Sequence, residues 1–285
     1  MATAENVRFI FNNATDTATI SDGNSNILAS LPQTNLTKSQ RTKVVRTSNT
    51  SSLILNLNWG GAGKFMSGVG LMRHNLQSSA TWRVQLYDGE NQTGTQVYDS
   101  GTVDAIPAKS LGDLDWGVDP LGASVFDGWD ESNRFTTIWF TQVTALSAKI
   151  TVNDATNPDG YIQASRLFMG VALTPSINVT YGYSNGWDEA TSQFRTEGGS
   201  LYSDSKPQFR KMSMTLADLI PGERTGFMEG VRVVGKRNDF LVSVTPEFGG
   251  SQERDNTLQG KFTTLQPFIN NRFDNYTVTF NIAEV

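Results

Sequence analysis

At 285 residues, 38% of them hydrophobic and 18% charged, the chain is long enough for two domains of ordinary size and needs neither disulfide nor metal to hold a core. It has no Cys and one His, which excludes thiol nucleophiles, Cys-ligated zinc, iron–sulfur clusters and multi-His metal sites, and would route any Ser-His-Asp arrangement through His74. A formal net charge of −5 offers no footprint for a phosphate backbone or an anionic membrane, so neither nucleic-acid binding nor membrane insertion is expected.

The N-terminal residues MATAENVRFIFNN show no basic segment followed by an apolar run, and no stretch approaches the ~20 apolar residues that span a bilayer. The expectation is a mature chain that starts where the sequence starts. Short runs of β-branched and aromatic residues bounded by Gly, Asn, Asp, Ser and Pro then predict strands at Val7 to Asn12, Ser52 to Asn58, Ser67 to Arg73, Thr81 to Tyr87, Phe135 to Phe140 and Ala148 to Val152. Leu53-Ile54-Leu55-Asn56-Leu57 and Trp82-Arg83-Val84-Gln85-Leu86-Tyr87 place apolar residues at every second position, which sends one face to a core and the other to solvent. Asp88-Gly89-Glu90-Asn91 and Asp99-Ser100-Gly101 supply turns around the short run Gln96-Val97-Tyr98, so hairpins are expected there. Ala105 to Asn133, with Gly, Pro and Asp throughout, reads as one long loop of the functional or disordered kind.

The chain divides around Gly170 to Pro175. The expected fold is mainly β: a jelly-roll β-sandwich over 1–170 and a second β-sandwich-like domain over 171–285, with residues 1–20 available to pair with the C-terminal part. Residues Gly182 to Pro207 read as a Gly- and Ser-containing excursion unable to pack alone. A single helix is predicted at about 221–235, with Pro221 in the first turn and Glu223 near the positive end of the dipole. Phe227, Val231 and Val234 form its apolar stripe, and Gly235 closes it with an αL cap. Strands follow at Phe240 to Thr245, Thr257 to Leu265 and Tyr276 to Ala283.

Few motifs carry chemistry. Trp59-Gly60-Gly61-Ala62-Gly63-Lys64-Phe65 fails as a phosphate loop, because position 58 is Asn and position 65 is Phe where Gly and Ser or Thr are needed. His74 has no nucleophile or orienting acid marked beside it and reads as structural. The tetrad Gly-Trp-Asp-Glu occurs twice, at Gly128-Trp129-Asp130-Glu131 and Gly186-Trp187-Asp188-Glu189. An indole face beside carboxylates suits a sugar, since the ring stacks on apolar sugar faces while the acids accept hydroxyl hydrogen bonds. The alternative is two acidic turns, each with a Trp plugged into the neighbouring core or an adjacent subunit. Asp113, Asp115 and Asp119, and Asp154 and Asp159 with Asn153 and Asn157, have oxygen-rich spacing but lack the EF-hand pattern. They read as solvated loops, with a structural calcium as the sharper alternative, and no other cofactor is expected.

From about Ser21 to Gly170 the chain resembles the galactose-binding-like, discoidin-type jelly roll found in bacteriophage tail proteins. The resemblance is carried by Leu53 to Leu57, Val69 to Leu76, Thr81 to Tyr87, Val97 to Gly101 and Tyr161 to Gly170, in that order. The remainder, with Arg195 to Gly199, Phe209 to Met212, the helix and the terminal Ile282 to Val285, is similar to the ring-forming part of distal tail proteins. That resemblance implies a non-enzymatic structural component of a phage tail tip or baseplate. It would be assembled in the host bacterial cytoplasm, located in the virion tail, closed into a homo-oligomer (hexamer or trimer) and bound to other phage tail proteins. Trp187, Phe194 and Phe209 are the expected subunit-interface anchors. A different class, a carbohydrate-binding module, would recognise host surface glycans, and Trp116, Trp129, Asp130, Trp187 and Asp188 are the candidate glycan or partner contacts. A glycan hydrolase is not expected, because no acid pair is singled out by spacing.

Overall fold

The computed structural model describes residues 5–285, apart from the side chain of Ser132; residues 1–4 of the expected first domain lie outside the described residues. The chain is mainly β, and every paired strand in it is antiparallel.

The first unit is a jelly-roll sandwich. One sheet runs in the order Thr19–Asp22, Leu53–Asn58, Ser147–Asn153, Thr81–Tyr87, Gln96–Asp99, with Val103–Asp104 also paired to Thr81–Tyr87. The facing sheet has Arg166–Gly170, Lys64–Met72 and Phe135–Ala145. The alternation in Leu53–Asn58 and Thr81–Tyr87 does what the sequence predicts: Leu53, Leu55 and Leu57, and Trp82, Val84 and Leu86, are all buried in one core. His74 is fully buried beside that core, where burial pushes its imidazole down to about 3, so it stays neutral.

The second unit is a seven-stranded sheet with two helices. Its order is Arg8–Ile10, Phe240–Ser243, Thr257–Thr264, Asn275–Glu284, Gln208–Leu219, Ser184–Glu189, and Ile269–Arg272 pairs additionally with Asn275–Glu284. Helix α1 (Pro221–Val234) covers one face and inserts Phe227 into a cluster of rings from Phe9, Phe11, Phe240, Phe262 and Phe280, with centroids 4.5–6.5 Å apart. Helix α2 (Gly250–Asn256) is short.

The first strand belongs to the second sheet, so the jelly roll is threaded between that strand and the rest of its sheet. Arg8–Ile10 and Phe240–Ser243 are buried on both faces. Phe9, Phe240 and Val242 join the aromatic cluster, whereas Ile10 and Leu241 enter the jelly-roll core. This is why Phe9-Ile10-Phe11 and Phe240-Leu241-Val242 read as unbroken apolar runs. The close approach requires glycine on the jelly-roll side: a Cβ at Gly70 would lie 2.7 Å from Leu241 Cδ2, and one at Gly170 would lie 2.5 Å from the Asn12 carbonyl oxygen. A buried ion pair adds a polar lock, in which Arg166 Nε and Nη2 donate to the two Asp239 oxygens at 2.9 and 3.0 Å, while Nη1 and Nη2 reach Asp16.

Four expectations are corrected. The segment Ala105 to Asn133 holds no strand or α-helix, as a long loop should, but it is packed and not disordered: it buries Ala105, Ile106, Ala123, Val125 and Phe126 in the jelly-roll core, closes on itself by a bridge between Ala108 and Ser124, and ends in a 3-10 turn at Glu131–Asn133. Apolar spacing hid this, because each of those side chains enters the core from a turn and not from a periodic element. The excursion Gly182 to Pro207 contains an edge strand, Ser184–Glu189, and a hairpin, Ser192–Arg195 with Leu201–Asp204. Among the described residues there are two helices where one was expected, because α2 has no apolar stripe that a sequence pattern could reveal. Gly235 has φ 53° and ψ −148°, a positive-φ stop but not the αL cap expected.

Candidate functional site

The two Gly-Trp-Asp-Glu tetrads, 58 positions apart in sequence, meet in space. Trp129 comes from the jelly roll, on the turn before Phe135–Ala145. Its carbonyl accepts from Arg134 Nε and Nη2 at 3.3 and 3.1 Å, and its ring packs edge-on to Phe126 at 6.0 Å. Trp187 comes from the edge strand Ser184–Glu189 of the second sheet, directly opposite Arg210. The two indoles form an edge-to-face pair with centroids 5.4 Å apart and planes at 61°, a favoured aromatic geometry. Trp187 remains 50% exposed and Trp129 is half-buried.

Two open clefts flank the pair. The larger, of about 380 Å³, has Trp129, Asp130, Asn133, Trp187, Gln208 and Arg41 in its wall. The smaller, of about 290 Å³, is walled by the same two indoles with Asn185, Arg210, Arg254 and Asp255. The guanidiniums of Arg254 and Arg210 lie 4.5 and 5.6 Å from the Trp129 ring centroid, within cation–π range. Both are fixed from behind. Arg210 is buried and bonded to Glu284 at 2.6–3.1 Å, and Arg254 donates to the Val125 carbonyl at 2.6 Å and to Asp255 at 2.8 Å. Arg41 spends its Nε on the Val285 carbonyl, while its Nη2 is buried without a hydrogen-bond partner. Burial and the neighbouring Arg41 guanidinium lower Arg73, behind it, to about 10, and burial followed by the nearby Asp159 charge raises Glu131. The clefts therefore combine indole surface, amides and carboxylates.

Trp129, Asp130 and Trp187 are brought together. Asp188 sits on the same strand but is half-buried and turned to Lys211, whose ammonium holds its carboxyl below the usual range. Trp116 does not line either cleft: it is 75% exposed on a separate turn. Phe194 stacks on Tyr202 at 5.8 Å in the exposed hairpin, and Phe209 is half-buried with the Lys211 ammonium over its ring. Sequence reasoning missed Arg41, Asn133, Gln208, Arg210 and Arg254. None sits in a motif, and only the strand order places them beside the indoles. Asp113 accepts from the Ser251 amide, Asp119 pairs with Lys109 at 2.8 Å, and buried Asp154 accepts from the Gln77 amide and Asn157. Among the described residues no three acids or histidines form a set that could hold a metal.

No family model matches the chain, and no curated protein matches it. Solved structures similar to it include chitosan-binding module 1 of a chitosanase/glucanase from Paenibacillus sp. IK-5, with 14% identity over 56% of this chain and 99% of its own and a TM-score of 0.37. A family 32 carbohydrate-binding module of Clostridium perfringens in complex with GalNAc-β-1,3-galactose has 9% identity over 56% of this chain and 100% of its own, with a TM-score of 0.36. Another family 32 module from C. perfringens, in complex with galactose, has 15% identity over 57% and 98%, with a TM-score of 0.35.

Proposed function

We propose that this chain binds glycans through the clefts at Trp129 and Trp187. The observation that carries the reading is the meeting of the two tetrads. A fold that needed Trp only as core filler would bury both, yet here one indole is anchored and the other is half in solvent beside a carboxylate and amides. Sugar rings offer apolar C–H faces to indoles and hydroxyls to such polar groups. Fluorescence and calorimetric titration with galactose, GalNAc-β-1,3-galactose and chitosan oligosaccharides, followed by a glycan array, tests it. Saturable binding is expected, and Trp187→Ala should abolish it while lowering stability by only about 0.5–1.5 kcal/mol, as for the loss of one edge-to-face aromatic pair. Binding that survives Trp187→Ala unchanged, or a wild-type protein that engages no glycan on the array, would overturn the reading.

A second reading, a structural component of a phage tail tip or baseplate that forms a homo-oligomeric ring, is favoured by one observation. The hairpin Ser192–Arg195 with Leu201–Asp204 exposes all its side chains, among them Phe194, Leu201 and Tyr202. A two-stranded hairpin is marginal by itself, and apolar residues on such an arm suit burial against a neighbour. Native mass measurement across a concentration series tests it: a closed hexamer or trimer supports it, and a strict 31.2 kDa monomer at every concentration contradicts it.

A further inference from the structure

The segment 104–131 carries seven acids and a single base, Lys109. Its formal charge of −6 exceeds the −5 of the entire chain, so all other residues together are slightly positive. At its tip, Leu111, Trp116, Val118 and Leu121 are 68–79% exposed. This tip has a defined conformation. Lys109 and Asp119 form an ion pair at 2.8 Å with both side chains largely covered, the Asp115 amide donates to Asp119, the Lys109 amide donates to the Ala123 carbonyl, and Asp113 is tied to the Ser251 amide of α2. A turn ordered by this many bonds while its large apolar side chains face water is built as a contact surface, and an exposed Trp at its centre is a typical binding anchor.

The acidic surround disfavours an anionic membrane, because like charges repel, and calls for an apolar surface with basic neighbours. The chain itself carries one. The last turn of α1 and the residues after it expose Val233, Lys236 and Arg237, with Met228 also exposed one turn earlier, while the exposed Arg232 is already paired with Glu229. We propose that the 109–122 tip of one copy docks on the C-terminal end of α1 of a second copy. The inference rests on the assembly reading above and names its contact. Because the two surfaces differ, the contact is head-to-tail, and it closes a ring or extends a filament according to the rotation it imposes.

Sedimentation of the intact chain across a concentration series, at about 50 mM and about 500 mM salt, is the test. Self-association should weaken at the higher salt, and Trp116→Ala should weaken it by about 30-fold or more, as expected for a central Trp anchor, with an unchanged melting temperature. Asp115→Lys and Lys236→Glu should each weaken association, and an equimolar mixture of the two should recover it, since the basic tip of one then meets the acidic helix end of the other. Lys38→Glu with Lys43→Glu, in the jelly-roll stretch that carries Lys38, Arg41, Lys43 and Arg46, should leave it unchanged. Oligomers indifferent to Trp116→Ala and to both reversals would overturn this contact while leaving the assembly reading intact. A monomer under all conditions would overturn both.

Discussion

The jelly roll and the seven-stranded sheet use the same antiparallel alternation but dispose of their apolar side chains differently. Of the 20 large apolar side chains exposed among the described residues, 14 lie beyond residue 175, in the smaller unit. Four of the remaining six sit on the single tip around Trp116. The jelly roll closes its sandwich and is nearly self-sufficient, whereas the second sheet depends on α1 over one face and on the jelly roll behind its first two strands. A sheet completed by other parts of the chain has edges and faces to spare, and an exposed edge is where pairing with another chain begins.

The largest expected effect comes from the lock between the units. Arg166→Ala would leave the Asp239 charge buried without its countercharge, bonded only by the Gln259 amide, and should cost about 3–5 kcal/mol in urea unfolding; a loss below about 1 kcal/mol would show that apolar packing alone joins them. Next is Gly70→Ala, whose methyl would sit 2.7 Å from Leu241 Cδ2. Displacing the packed Leu241 side chain should cost about 1–3 kcal/mol, and an unchanged unfolding midpoint would mean that Leu241 turns aside to admit the methyl.

Two titrations sharpen the comparison further. In the jelly roll, the folded His74 is lowered to about 3, well below the unfolded value. The unfolded chain therefore binds this proton first, so the stability held above about pH 6.5 is lost as pH falls towards 3. His74→Gln should remove that part of the slope of melting temperature against pH. Glu253 of α2 works in the opposite sense, because burial raises it. It contributes most below the ordinary Glu range, and its contribution is lost as pH rises through the folded value. Glu253→Gln should then give a small rise in melting temperature at pH 7 that vanishes below about pH 4; a rise that persists in acid would point to packing instead.

Much of this protein is legible locally. The alternation at Leu53–Asn58 and Thr81–Tyr87 and the Pro221 start of α1 are set by residues within a few positions of one another. The candidate site was half legible. The repeated tetrad marks Trp129 and Trp187, but nothing local pairs them, and Trp116, which has the same composition around it, lies elsewhere. The turns that bury Val125 and Phe126 were illegible, because they carry no period for a pattern to show.

Residue pattern alone establishes a chain of antiparallel strands with one amphipathic helix, no Cys and indoles beside acids. Long-range packing places the first strand in the last sheet, turns Ile10 and Leu241 to one core and Phe9 and Val242 to another, and brings residues 58 positions apart into one cleft. A period of two fixes which side chains share a face, but strand partners are chosen by long-range burial.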